Sequence, residues 1–126
     1  MYTYLISLIW RFPGFTLDGT IKLIDFGLAR VVHNVSPDCD DVYEMSGETG
    51  SLRYMAPEVA EGRPYNHKAD VYSFGIILWE MVTYKKPFDG MDKEMFFEKV
   101  VYGGEKLVIN KKWPAEFSNL MRNCWR

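Results

Sequence analysis

Residues 70–82, DVYSFGIILWEMV, open on an acid and then run for most of their length through apolar side chains. Val71, Phe74, Ile77, Leu78, Met81 and Val82 recur at the spacing of one helical face, and Ile76 and Trp79 fill much of the opposite face. A helix apolar nearly all round belongs in the middle of a core, so the rest of the chain is expected to wrap this one.

Upstream, Phe15-Thr16-Leu17 and Thr20-Ile21-Lys22-Leu23-Ile24 are short β-prone runs joined by Asp18-Gly19, a two-residue hairpin signal, and the hairpin is expected to end at Asp25. From Leu28 to about Pro57 the period is lost among Asn34, Ser36, Pro37, Asp38, Asp40, Asp41, Ser46, Gly47 and Gly50. A connection of that length in a compact domain is functional or mobile. Downstream, Asp92 can cap a second helix, Lys93 to Tyr102, stopped by Gly103-Gly104. A third starts near Pro114 and carries Phe117, Leu120, Met121, Cys124 and Trp125.

The 126 residues suit one domain, and a hydrophobic share of 48% beside 25% charged residues is that of a globular protein. With a net charge of −2 and scattered Lys and Arg, the chain lacks the electrostatic footprint of a nucleic-acid binder. Cys39 and Cys124 stand far apart without metal-ligand spacing, which predicts free thiols in a reducing, cytoplasmic compartment. The apolar start, MYTYLISLIW, is too short to span a bilayer and lacks a basic lead-in and a small-residue cleavage site, so no membrane association is expected.

Asp25-Phe26-Gly27, then Gly50-Ser51-Leu52-Arg53-Tyr54-Met55-Ala56-Pro57-Glu58, then Asp70-Val71-Tyr72-Ser73-Phe74-Gly75, follow in the order of the landmarks of a eukaryotic protein kinase. Alone, Asp25 would be equally a carboxylate closing the turn after a strand. With its flanking motifs, residues 14–126 resemble part of a kinase domain of the serine/threonine or tyrosine-kinase-like type, and residues 1–13 stand apart as a divergent apolar segment. The resemblance implies an α+β, mainly α fold: a C-terminal lobe with a short hairpin, a long activation segment and three to four helices.

It also implies roles. The acid at Asp25 holds the magnesium that bridges the ATP phosphates, and Phe26 and Gly27 let the segment pivot. The residue type suits the ion, because magnesium takes hard oxygen ligands and keeps several waters. Residues 28–57 become the activation segment, with Tyr43, Ser46, Thr49 and Ser51 as candidate phosphate acceptors, Thr49 foremost. Ser51 and Tyr54, with Pro57 and Glu58 of the A-P-E triplet, fall where the segment meets substrate. Asp70 is either a helix cap or the family's structural anchor for the catalytic loop; His33 and His67 read as solvated or capping. The implied cofactors are ATP and Mg²⁺, and the implied partners are a protein substrate or a partner kinase, with the chain a monomer or part of a larger one.

Several parts of a phosphotransferase are missing from this sequence. No glycine-rich phosphate loop precedes Asp25, and Lys22, the only lysine before it, alternates with Ile21 and Leu23 so as to face solvent. Counting back from Gly14-Phe15 puts Leu5-Ile6-Ser7 where the catalytic His-Arg-Asp would stand, Ile9 at the loop lysine and Phe12 at its asparagine. Ser7 is a poor general base, Ile9 cannot neutralise phosphate charge and Phe12 cannot ligate a metal. The arginine that pairs with the A-P-E glutamate would follow Arg126, which leaves Glu58 to find Arg122, Arg126 or water. The chain alone is therefore expected to be inactive, and the alternative to a kinase fragment is a pseudokinase-like scaffold or substrate-docking module.

Overall fold

The computed structural model describes residues 2–5, 14–22, 30–33 and 52–126. Four strands form two antiparallel pairs: β1 (Tyr2–Leu5) with β4 (Arg30–His33), and β2 (Gly14–Phe15) with β3 (Ile21–Lys22). The second pair is the expected hairpin, with a different turn. Gly19 N–H donates to Thr16 C=O at 2.9 Å and Gly19 takes φ +82°, so Leu17-Asp18-Gly19 make a three-residue loop. Gly19 can sit in the left-handed region without strain, and such a loop closes on a residue of that kind. Leu17, read from the sequence as a strand residue, is fully exposed in the turn. Asp18 Oδ1 accepts from the Thr16 hydroxyl and from Thr20 N–H, and these bonds hold its carboxyl below the ordinary value.

β4 lies within the stretch from Leu28 to Pro57 expected to be loop throughout. Arg30–His33 is instead a strand, in the register Tyr2↔His33 to Leu5↔Arg30, and it gives the apolar N-terminal segment a partner. Two β-branched residues flanked by polar ones are too short to show a period by themselves.

The helices are α1 (Pro57–Ala60), α2 (Lys68–Thr83), α3 (Lys93–Phe96), which continues as a π-helical stretch over Phe97–Tyr102, and α4 (Ala115–Cys124). The Asp92 side chain accepts from Met95 N–H at 2.8 Å, as its N-cap position predicts. The helical run ends at Gly103, and Gly104 N–H returns to Val100 C=O at 3.2 Å. Ile76 of α2, Phe96 of α3, Val100 and Met121 of α4 are all fully buried and form the centre of one core.

α2 enters this core by one face only. Tyr72, Ser73, Gly75, Ile76 and Trp79 are buried, whereas Val71, Phe74, Met81 and Val82 of the predicted apolar stripe are exposed, Met81 to 57%. The helix is thus apolar all round but covered on one side among the described residues. α4 crosses it at Gly75, where an added Cβ would lie 2.6 Å from both Cys124 Cβ and Trp125 Nε1. Glycine at this position lets the two backbones approach closely. No helix among the described residues is long and apolar enough to cross a membrane.

Candidate functional site

The strand register ties two stretches together at both ends. Leu5 pairs with Arg30 and Gly14 with Lys22, so residues 6–13 and residues 23–29 both run between the same two strand pairs. Ser7 belongs to the first stretch; Asp25, Phe26 and Gly27 belong to the second. These four, with Thr49 and Ser51, lie outside the described residues. Lys22, beside the second stretch, is exposed, as its alternation with Ile21 and Leu23 requires.

From Leu52 the backbone is described continuously, and it is fastened to α2 by side chains. Leu52–Tyr54 form one turn of 3₁₀-helix. Arg53 Nη1 donates to Pro87 C=O at 3.0 Å and Phe88 C=O at 2.8 Å, in the loop that follows α2. Phe88 there holds φ +49°, an uncommon conformation for a bulky residue, with its ring edge-on to Phe96 at 5.3 Å. Ser73 Oγ donates to Tyr54 C=O at 2.7 Å from within α2. Tyr54 hydroxyl donates to Glu80 Oε2 at 2.7 Å, about two turns further along the helix. Burial, and after it the Glu80 bond and charge, push the Tyr54 hydroxyl up to about 12.

Pro57 opens α1 after an extended Ala56 (φ −65°, ψ 145°), the conformation that a following proline favours. Glu58, in the first turn of α1, is half-buried. Its charge acts on Tyr72 and Lys106, while Arg122 Nη1 donates to Asn119 Oδ1 at 3.1 Å. Lys106 Nζ stands 5.3 Å from the centroid of the buried Tyr72 ring, a cation–π distance. Burial lowers the Lys106 ammonium, with Glu58 opposing, and it raises the Tyr72 hydroxyl, which has no hydrogen-bond partner among the described residues.

Asp70 sits half-buried in the first turn of α2. The cap at this end is Asn66, whose Oδ1 accepts from Lys68 N–H at 2.9 Å, while His67 makes no side-chain cap. The structure therefore fastens Tyr54 to α2 at Ser73 and Glu80, sets Glu58 where its charge reaches Tyr72 of α2, and packs α1, which Pro57 opens, against the 97–102 stretch. It adds Arg53, Ser73, Asn66 and Glu80, which the sequence did not single out.

Comparison with known proteins bears on this arrangement directly. The family profile described as protein tyrosine and serine/threonine kinase matches residues 15–126. The chain belongs to the protein kinase family. It is 40% identical over 105 residues to serine/threonine-protein kinase STY46 of Arabidopsis thaliana, covering 83% of this chain and 17% of that one. It is 40% identical over 109 residues to mitogen-activated protein kinase kinase kinase 7 of Homo sapiens, covering 85% and 16%. With serine/threonine-protein kinase STY17 of Arabidopsis thaliana the identity is 37% over 106 residues, covering 84% and 17%. The chain thus spans about a sixth of the length of these curated relatives.

Within this family the chain is mainly helical where it is described, consistent with a C-terminal lobe. Kinases of this family use ATP with magnesium and act on protein substrates. The Leu52–Tyr54 turn is held by four hydrogen bonds to α2 and its following loop.

Proposed function

We propose that this chain is the substrate-facing half of an ATP-dependent protein serine/threonine kinase domain, and that the 126 residues alone do not turn over ATP. The observation that supports this reading is the strand register. Two connections tied pairwise at Leu5–Arg30 and Gly14–Lys22 are the topology that a base-bearing loop and a metal-ligand turn need to act on one phosphoryl group.

In a complete domain Asp25 would hold magnesium through its carboxylate, with Phe26 and Gly27 pivoting the turn. The bound ion would neutralise charge on the phosphates. Ser51 and Tyr54 would help present the substrate hydroxyl, Pro57 and Glu58 would anchor the segment below it, and Asp70 would tie α2 to the catalytic loop. Phosphorylation at Thr49 would add charge to the segment and reorder it against basic side chains. In this chain Ser7, Ile9 and Phe12 stand where base, lysine and asparagine are needed. Loss of a general base alone lowers rates about 10²–10⁴-fold. The partner is a protein substrate or a partner kinase, met in a reducing, cytoplasmic compartment.

The test is phosphoryl transfer from Mg·ATP to a generic protein substrate by the purified chain, together with the transcript upstream of Met1. No transfer is expected from the chain alone, and robust turnover would overturn that statement. An in-frame glycine-rich loop, lysine and His-Arg-Asp upstream would identify the complete enzyme.

A second reading, a non-catalytic docking module, is favoured by the fastening of Arg53, Tyr54 and Ser73, which requires no nucleotide. Thermal shift with Mg·ATP separates the two, because a docking module alone shows none.

A further inference from the structure

The segment 105–110 crosses the C-terminal end of α2 and leaves an open groove on either side, of about 570 and about 670 Å³, both walled in part by Trp79, Lys85 and Val108. Trp79 Nε1–H donates to Val108 C=O at 2.8 Å, which fixes the crossing backbone to the helix. Val108 is left standing out, 81% exposed. Asn110 holds the next bend, its Oδ1 accepting from Lys112 N–H at 2.9 Å and its C=O from Trp113 N–H at 3.1 Å.

The two grooves differ in charge. The smaller mixes Lys85, Lys86 and Lys106 with Asp89 and Glu105. The larger has an apolar floor of Trp79, Val82, Ile109 and Trp113, and its only charged side chains are Lys85, Lys111 and Lys112. None of these three lysines makes an ion pair among the described residues, whereas Lys86 reaches Asp89 at 4.0 Å. Three cations without an ion pair among the described residues thus rim an apolar trough on a chain whose net charge is −2.

We infer that the larger groove docks a short acidic segment of a separate protein, its carboxylates meeting Lys85, Lys111 and Lys112 and an aliphatic or aromatic side chain lying against Val108, Ile109 and Trp113. Charge complementarity selects the sign of the partner, and the apolar floor selects a peptide over a bare polyanion. A nucleic-acid backbone would also have to pass Asp89 and Glu105 in the adjoining groove, where its phosphates meet carboxylates. This docking does not require phosphoryl transfer, so it stands or falls separately from the kinase reading.

The probe is a fluorescent synthetic peptide in which Glu alternates with Leu, titrated into the purified 126-residue chain by anisotropy. Saturable binding is expected, weakened about tenfold by Lys85→Glu/Lys111→Glu/Lys112→Glu, the effect of three lost surface pairs. Val108→Asp, an exposed change that leaves the core alone, is expected to weaken it as well. Circular dichroism shows whether each variant folds, and chemical-shift changes confined to the Trp113 indole and Val108 locate the contact even where a variant does not. Binding unaffected by the triple change, equal binding of polyglutamate, or no saturation overturns the proposal. So does a chain with Asp38, Asp40, Asp41, Glu44 and Glu48 made neutral that binds about tenfold tighter, since the groove's occupant would then be the chain's own segment.

Discussion

The Tyr54 hydroxyl donates to Glu80 Oε2 at 2.7 Å, joining the Leu52–Tyr54 turn to the last turn of α2. The bond is made by the protonated phenol, and both burial and the Glu80 charge raise its pKa from 10.0 to about 12. A group whose folded pKa is raised contributes stability that is fully present below its unfolded value and is lost as pH climbs through the folded one. Urea midpoints are therefore expected to hold up to about pH 10 and to fall toward about pH 12. Tyr72, whose hydroxyl burial also raises, adds to the same alkaline loss. Tyr54→Phe should flatten the slope between those pH values; an unchanged slope would mean that burial and Glu80 do not raise the Tyr54 hydroxyl in solution.

Tyr72 offers the converse experiment. Its hydroxyl is buried without a hydrogen-bond partner among the described residues, so it contributes desolvation cost and no bond. Tyr72→Phe is expected to be neutral or to stabilise by up to about 1 kcal/mol in urea unfolding, because removing an unsatisfied polar group recovers part of its penalty. The ring, its packing and the Lys106 contact are all retained. A loss above about 1 kcal/mol would show that the hydroxyl is bonded after all.

At Gly75 two effects oppose each other. Alanine gains about 1 kcal/mol of helix propensity over glycine. Against this, its Cβ would meet Cys124 Cβ, fixed on the α4 backbone, and Nε1 of the buried Trp125 indole, both at 2.6 Å and with little freedom to withdraw. Overpacking of this kind costs about 1–3 kcal/mol or more, so Gly75→Ala is expected to lower stability by about 1–2 kcal/mol net. Thermal denaturation checks the sign, and Gly75→Val should be worse still.

Arg53 serves two carbonyls from one guanidinium nitrogen, at Pro87 and at the left-handed Phe88. Hydrogen bonds from a charged donor are worth about 1.5–3 kcal/mol each, and half-burial keeps the pair toward the lower end. Arg53→Ala should therefore destabilise by about 2 kcal/mol and speed amide exchange around residues 87–91 ahead of α3. Arg53→Lys should recover only part, since an ammonium on a flexible stem does not reproduce the planar fork.

Local signals were read well and distant ones poorly. Asp92, Gly103-Gly104 and Pro114 marked helix ends because capping is decided within one turn. The hairpin was legible but its turn was not, since Asp18-Gly19 suits a two-residue and a three-residue loop alike and only Leu17 distinguishes them. At the start of α2 several residues of capping type crowd together, so the bond from Lys68 N–H to Asn66 Oδ1 carries no local signature. The periodic stripe of α2 was found, but which face is covered depends on what crosses at Gly75. At the site, the order of motifs disclosed the family, whereas Arg53, Ser73 and Glu80 act across 19 to 35 positions of sequence and carry no local signature.

The joints Leu5–Arg30 and Gly14–Lys22 are made by backbone pairing, so they do not depend on which side chains lie between them. Residues 6–13 and 23–29 can therefore exchange their chemistry while the frame that closes them keeps its register. Such a frame separates inheritance of shape from inheritance of reaction, since backbone pairing at its joints sets no requirement on the side chains of the spans it joins. The same independence permits change in the opposite direction, with side chains restored on spans whose ends are already in place.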